Sequence, residues 1–460
     1  MSTDLKGVTA PPTTSESGTA PIAQATGTDG KAVRSSLRLR LLHRLLTPGW
    51  IRPTPAARLR GWARVVTWLD AAPPQRRELV KRALRFPLLS WQEAGGEIER
   101  FGESVARAYG VPPGAQRRQL WWMYMRHGIV GPTYVEYQLY RPERRRIATE
   151  FVQELEHTRL LRWIHRRHGD EDARIFRDKP RFAEWCRING LPAVDSILEF
   201  DEGRVVESRI GGDPETSLPP VDLFSKPNDA TAGLGTERWV FVGGEGDDRR
   251  WRATDGRIVD AAGLLGELAT LSLTLPLKEG RTSRRMLLQR GLSNHRELRD
   301  LTQGALCTAR IVVARPPVGR ARIIGAAYRM ATGNAAADNY AVGGIVAPID
   351  LASGRLMRAI RRLDKVLSPI DHHPDTGAAI EGRVLPGGAD AVALAERGLD
   401  LAPRLPTLGW DVAFTDDGPV FIEGNIAPNP GILQKPTGSP LSETSLPAVI
   451  EAHVRSLLRG

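Results

Sequence analysis

Near residue 175 the spacing of apolar residues changes, and no single class of secondary structure suits both sides of the change. Before it, GWARVVTWLD (61–70), ELVKRALRF (78–86) and ATEFVQELEHTRLLRWIHRRHG (148–169) repeat apolar side chains every three or four residues. That is the period of a half-buried helix, and PP, PPG and GP turns punctuate it. After it come short runs rich in Val, Ile and Phe: LFSKP (223–227), RWVFVGG (238–244), MLLQ (286–289), TARIVVARP (308–316), ARIIGAAYRM (321–330), WDVAF (410–414) and PVFIE (419–423). These read as strands. Helical patterns are expected among them in PRFAEWCRING (180–190), SNHRELRDLTQGAL (293–306) and GRLMRAIRRLDKVL (354–367). The expected fold class is α+β with mainly antiparallel sheet, preceded by helices. Three segments follow: a disordered tail over 1–35, where Thr, Ser, Gly, Ala and Pro offer little to bury; a basic all-helical region over 36–170; and the α+β domain over 171–460.

The net charge of +11 is nearly all arginine, crowded into the first third as RSSLRLRLLHRLL, PQRRELVKRALRF, RPERRRIATE and LLRWIHRRHG. Most of these arginines read as solvated faces of amphipathic helices. RSSLRLRLLHRLLTPGW also reads as a membrane-surface helix, because it sets leucines beside a basic face. Nucleic acid is not an expected partner, since no recognition module is present. No apolar run approaches the ~20 residues that cross a bilayer, and the polar opening MSTDLKGVTAPPTTSESG is no secretory signal. A cytoplasmic protein is expected. Cys186 and Cys307 are the only cysteines, which rules out a disulfide framework and a cysteine-rich zinc site. No GxSxG elbow is present either.

WDVAF, TDDG and PVFIEGN (410–425) compose a β-hairpin with Asp-Gly turn chemistry. An odd-numbered loop centred on Asp417 sets Val412 against Ile422 and Asp411 against Glu423, with Asn425 facing the same way. Two carboxylates about 5 Å apart repel by roughly 3 kcal/mol at an effective dielectric of ~20, so a divalent cation between them is the economical arrangement. An even-numbered loop instead puts the two acids on opposite faces, solvated and unrelated.

Upstream, LFSKPNDATAGLG puts Lys226 at a strand end before a small-residue loop with Gly233 and Gly235, whose amides can approach phosphate oxygens. Lys179 opens a helix in RDKPRFAEWCRINGLP. The backbone of Gln289, Arg290, Gly291 and Leu292, leaving a strand in LLQRGLSNH, suits an adenine edge. Arg310 and Arg329 border apolar strands and can clamp phosphates, and Asn339 precedes a Gly-Gly turn in ADNYAVGGI. His372 and His373, adjacent in DHHPDTG, read as loop residues.

Taken in order, DKPRFAEWCRINGLP, LFSKP, LLQRGLSNH, ADNYAVGGI, HHPDTG and GWDVAFTDDGPVFIEGN resemble the ATP-grasp superfamily, and more closely its sugar-transfer associated branch, related to α-L-glutamate ligases. The resemblance covers roughly residues 175–457. It implies an ATP-grasp fold with ATP between two α+β subdomains. It also implies Lys179 and Lys226 on phosphates or adenine, Gly233 and Gly235 in a lid, Gln289–Leu292 as adenine hinge, and Asn339 as a further nucleotide ligand. Asp411, Glu423 and Asn425 would hold magnesium or manganese, with Arg310 and Arg329 on the transferring phosphoryl group. LLQRGLSNH lacks the acidic hinge residue of many such ligases. The implied activity is an ATP-dependent carboxylate–amine (or carboxylate–thiol) ligase making an acyl phosphate, in cell-surface polysaccharide or secondary metabolite biosynthesis. Its partners would be small-molecule carboxylate and amine substrates. The competing expectation is a nucleotide-binding scaffold without turnover, docked on a membrane or a protein partner through its basic helices.

Overall fold

The computed structural model describes residues 54–228, 235–275, 284–333 and 344–459. The expected tail over 1–35 and the RSSLRLRLLHRLL helix lie outside the described residues. Helices fill the chain from Pro55: α1 (Pro55–Asp70), α2 (Pro73–Leu84), α3 (Phe86–Tyr109), α4 (Pro113–His127) and α5 (Glu154–Arg167), then α6 (Glu171–Arg177) and α7 (Lys179–Ile188). Their ends follow local chemistry. Thr54 accepts a hydrogen bond from the Ala57 amide at the start of α1, and α3 and α4 both stop at glycines, Gly110 and Gly128, in the left-handed region.

Two antiparallel sheets follow. The first contains β1 (Ser196–Asp201), β2 (Arg204–Ser208), β3 (Leu223–Pro227), β4 (Glu237–Gly243), β5 (Arg250–Arg252), β6 (Ile258–Asp260) and β7 (Met286–Arg290), in the order β2-β1-β7-β3-β4-β5-β6. Helix α8 (Ala261–Thr274) covers one face, packing Leu264, Leu265 and Leu268 with Leu198, Trp239 and Leu288. The second sheet holds β8 (Thr308–Ala314), β9 (Arg322–Met330), β10 (Ile345–Asp350), β11 (Arg355–Leu356), β12 (Ala359–Leu363), β13 (Val366–Ile370), β14 (Thr407–Thr415) and β15 (Gly418–Asn425). Its order is β13-β12-β10-β9-β8-β14-β15, with β11 beside β10.

Both faces of the second sheet are buried, and this sets where a site can open. On one face α6, α7 and α9 (Gly388–Asp400) pack on Trp410 and Phe421, whose rings stack at 4.2 Å. On the other, α1, α5 and α10 (Leu446–Leu457) press Trp62, Leu160 and Ile450 onto Val312, Ala327 and Val346. Each such apolar side chain contributes roughly 1.5–3 kcal/mol on burial. The N-terminal helices are therefore built onto the same face of the sheet that carries the charged residues below.

Two expectations are corrected. GRLMRAIRRLDKVL is no helix but β11, β12 and the start of β13, joined at Asp364 and Lys365, both with positive φ. Its arginines and leucines favour helix, yet pairing of Ile345 with Arg361 and of Leu363 with Val366 wins. In SNHRELRDLTQGAL only a 3₁₀ segment, Arg296–Leu301, forms.

Candidate functional site

The hairpin of β14 and β15 pairs Asp411 with Glu423 as expected, but by another route. Thr415 pairs with Gly418, so the loop holds only Asp416 and Asp417, the even-numbered case. A bulge between Asp411 and Val412 restores the face, and Val412 pairs with Phe421 rather than with Ile422. Asn425 donates from Nδ2 to Glu423 Oε1 at 3.2 Å and lies opposite Gly409.

Arginines answer the charge problem of that pairing. Arg310, directly across from Asp411 on β8, grips both carboxylate oxygens through Nε and Nη2, and Arg329 on β9 adds a contact to Oδ2 at 2.9 Å. Arg329 is held in turn by the Thr308 hydroxyl, which accepts from its Nε at 3.2 Å. Burial would raise the Asp411 pKa, but the two guanidiniums outweigh it and hold the carboxyl at about 2. Protein charges thus already balance Asp411, and, contrary to the expectation from the sequence, its pairing with Glu423 does not by itself require a cation. Among the described residues no group of three or more His, Cys, Asp and Glu is arranged around a metal position. The oxygen donors present are Glu423, the amide of Asn425 and the engaged Asp411, the hard set that magnesium accepts.

The first sheet supplies the opposing wall. Lys226 pairs with Leu287 and, across β7, Leu287 pairs with Glu199, so these three side chains share a row and a face. Lys226 is only 7% exposed and has no hydrogen bond or ion pair among the described residues. Burial lowers its pKa to about 8, the nearby Lys179 ammonium lowers it too, and Glu423 and Asp411 act in the opposite sense. Lys226, Asp411 and Glu423, from the two sheets, and Lys179 at the start of α7 therefore sense one another. Lys179 is anchored: its amide donates to Asn228 Oδ1 at 2.9 Å, its ammonium donates to the Asn228 carbonyl, and Asn228 Nδ2 donates to Asp178 at 3.3 Å. Asn228 and Thr308 were not singled out in the sequence. Only their positions, two residues after the strand lysine and opposite Arg329, mark them.

Between the sheets runs the chain from Gln289 onward. Gln289 is buried on the face of Lys226, whereas Arg290 is exposed and alternates to the opposite face, which leaves its backbone as the part near the cleft. The Gly291 amide donates to the Asp222 carbonyl at 2.7 Å, and a Cβ there would stand 2.9 Å from that oxygen. Leu292 is half-buried. Asn294 then fixes the crossing to β8 by donating to the Ala305 carbonyl at 2.7 Å and accepting from the Cys307 amide at 2.9 Å. Gly291→Ala should therefore cost about 1–3 kcal/mol through a forced backbone shift, read as a lower midpoint in urea unfolding. Gly235 has φ +74°, in the left-handed region, and approaches Pro227. Gly233 and Asn339 lie outside the described residues. His373 is structural, with Nε2 2.9 Å from the Ala331 carbonyl just beyond Arg329, and His372 is exposed.

With this geometry in place, the pattern of conserved sequence for sugar-transfer associated ATP-grasp proteins matches residues 159–448, more than half of the chain. The chain belongs to the sugar-transfer associated ATP-grasp family. Among solved structures, this ATP-grasp protein is similar to D-alanyl-alanine synthetase A from Vibrio cholerae, at 11% identity and TM-score 0.33, over 63% of this chain and 67% of that one. It is likewise similar to D-alanine–D-alanine ligase from Bacillus anthracis, at 14% identity and TM-score 0.33, over 62% and 70%. An L-amino acid ligase from Bacillus licheniformis matches at 13% identity and TM-score 0.32, over 61% and 51%. No curated protein matches its sequence.

The helical region of this ATP-grasp chain reaches the rim of the cleft, which its sequence did not signal. Asn429, four residues past Asn425, donates to Glu154 at the start of α5 at 2.7 Å, and buried Lys435 pairs with Glu136 at 2.8 Å. Pro428 and Arg310 both pack over Gly409, where a Cβ would meet Pro428 at 2.7 Å. The loop after the hairpin is thus tied to the helices within a few residues of Arg310.

Proposed function

We propose that the cleft between the two sheets binds ATP with magnesium and transfers the γ-phosphoryl group to a carboxylate. The observation that carries this reading is Lys226, a buried ammonium with no anion in contact among the described residues, set opposite Asp411 and Glu423. A buried charge is costly unless it meets a counter-charge, and a polyphosphate supplies one. Lys179, Lys226, Arg310 and Arg329 converge with Asp411 and Glu423, while Glu199 on the Lys226 face is matched by Arg285 at 3.4 Å, so the cleft has positive charge to spare for a bound anion.

Lys226 and Lys179 would neutralise phosphate oxygens, Gln289–Leu292 would border the adenine, and Gly233, Gly235 and Asn339 would cover the nucleotide. Magnesium or manganese would sit on Glu423 and Asn425 beside Asp411, and when bound it would neutralise phosphate charge. Arg310 and Arg329, poised on Asp411, would stabilise the transferring phosphoryl group. A substrate carboxylate oxygen attacks the γ-phosphorus, the bond to the bridging oxygen breaks and ADP leaves. An amine or thiol then attacks the acyl carbon and phosphate departs. Positioning and charge suffice for such chemistry, without a side-chain nucleophile. Residues 171–460 would form the catalytic unit and 36–170 an appended helical unit. The substrates would be peptide, amino acid or sugar-linked precursors in cell-surface polysaccharide or secondary metabolite biosynthesis. With ATP as substrate, the reaction belongs in the cytoplasm.

Incubation with ATP, magnesium and pools of carboxylates and amines, followed by mass analysis, should yield a condensed product with matching ADP. Glu423→Gln should lower that rate by roughly 10²–10³ while leaving the unfolding midpoint near the parent's. Nucleotide binding with no ADP from any pool would favour a scaffold instead.

A further inference from the structure

The surface of α3 and α4, which precede every cleft residue in the chain, has its own composition. Among the described residues, large exposed apolar side chains gather where the first turns of α3 meet α4: Leu88 is 62% exposed, Trp122 56% and Trp91 36%. The two helices are joined there by aromatic contacts. Trp91 and Trp121 meet edge to face at 5.9 Å, Phe86 and Tyr124 lie 5.1 Å apart, and Trp121 Nε1 donates to the Pro87 carbonyl at 3.1 Å. Arginines frame the patch. Arg117 lies over Trp91 at 4.3 Å and Arg126 over Trp122 at 5.9 Å, while Arg118 is exposed on the same helix. Helix α4, PGAQRRQLWWMYMRH, carries no acidic residue. Glu93 on α3 accepts from the Tyr124 hydroxyl at 2.7 Å, Glu97 further along α3 pairs with Arg100, and Glu78 on α2 is 3.5 Å from Lys81.

We infer that this face of α3 and α4 docks on an anionic phospholipid bilayer. Indole rings settle at the headgroup level of a membrane, where an apolar ring and a polar N–H are both satisfied, and guanidiniums beside them pair with lipid phosphates. Leu88, with most of its side chain in water and no polar atom, gains by entering the acyl boundary. A nucleic acid gains less here. Stacked bases need open ring faces, whereas one face of Trp91 is covered by Arg117 and Trp121 abuts it edge-on. No described helix is long and apolar enough to cross a membrane, so contact through this face would be peripheral. A ligase held this way would work on substrates delivered at the membrane surface.

The test is co-sedimentation of the full chain with vesicles of phosphatidylcholine alone and with roughly one part in four phosphatidylglycerol. Binding is expected to the anionic vesicles only and to weaken as salt rises. Leu88→Asp with Trp122→Asp should cut the bound fraction by roughly tenfold or more, and Arg118→Glu with Arg126→Glu should do so independently, both with unchanged unfolding midpoints. Wild-type protein left in the supernatant would overturn the inference. So would binding by both double variants equal to wild type, or retardation of a single-stranded oligonucleotide that these variants abolish while vesicle binding is absent.

Discussion

Lys226→Met should make the free protein more stable while removing its affinity for nucleotide. An ammonium whose pKa falls from 10.5 to about 8 on burial costs the fold about 3 kcal/mol at neutral pH, which methionine of similar length does not. The same group, meeting a phosphate in a desolvated cleft, is worth about 2–4 kcal/mol of binding, so affinity should fall roughly 30- to 1,000-fold. The pH dependence separates the two effects. Between about 8 and 10.5 the unfolded chain holds the proton and the folded one has lost it, so stability of the parent should rise with pH across that window. Its nucleotide affinity should decline above about 8 as the ammonium discharges. Both slopes should vanish in Lys226→Met, read by denaturant titration and calorimetry at several pH values. A variant that unfolds earlier than the parent would mean that the lysine is a structural partner instead.

Asp411→Asn should be among the most destabilising single changes in the second sheet. It leaves Arg310 and Arg329, with side chains 11% and 15% exposed, facing each other without their shared carboxylate. Breaking a buried pair from one side costs about 3–5 kcal/mol, chiefly for the charge left behind. The Asp411 carboxyl titrates near 2 rather than near 3.8, so its contribution is complete above the ordinary value and lost only as pH falls through about 2. Urea unfolding at neutral pH checks the size. A loss under about 1 kcal/mol would show that the arginines find other partners and that Asp411 is free to serve a cation alone. Glu423→Gln, with no such clamp, is the contrasting case.

The strands that carry the site were legible because each begins or ends in a chemical signal. LFSKP is β3 residue for residue, and the late hairpin announces itself through Asp-Gly after a run of Val and Phe. What escaped the sequence are features set by partners distant in the chain. The bulge that brings Asp411 and Glu423 together after a two-residue loop has no local signature, so the right pairing rested on a wrong loop length. The arginine clamp depends on β8 and β9 flanking β14 in space. The hairpin at Asp364 and Lys365 turns without glycine, in a stretch whose composition favours helix. Asn228 was not singled out, and its role in holding Lys179 appears only once α7 lies against the end of β3.

The central claim is that the space between the two sheets exists to hold a metal-bound triphosphate. A crystal structure grown with magnesium and a non-hydrolysable ATP analogue tests it most directly. The expected result has phosphate oxygens on the Lys226 and Lys179 ammonium groups, the ion on Glu423 and Asn425, and the base beside Gln289–Leu292. Nucleotide bound elsewhere, or a cleft in which Lys226 turns to a protein carboxylate and excludes the analogue, would contradict it.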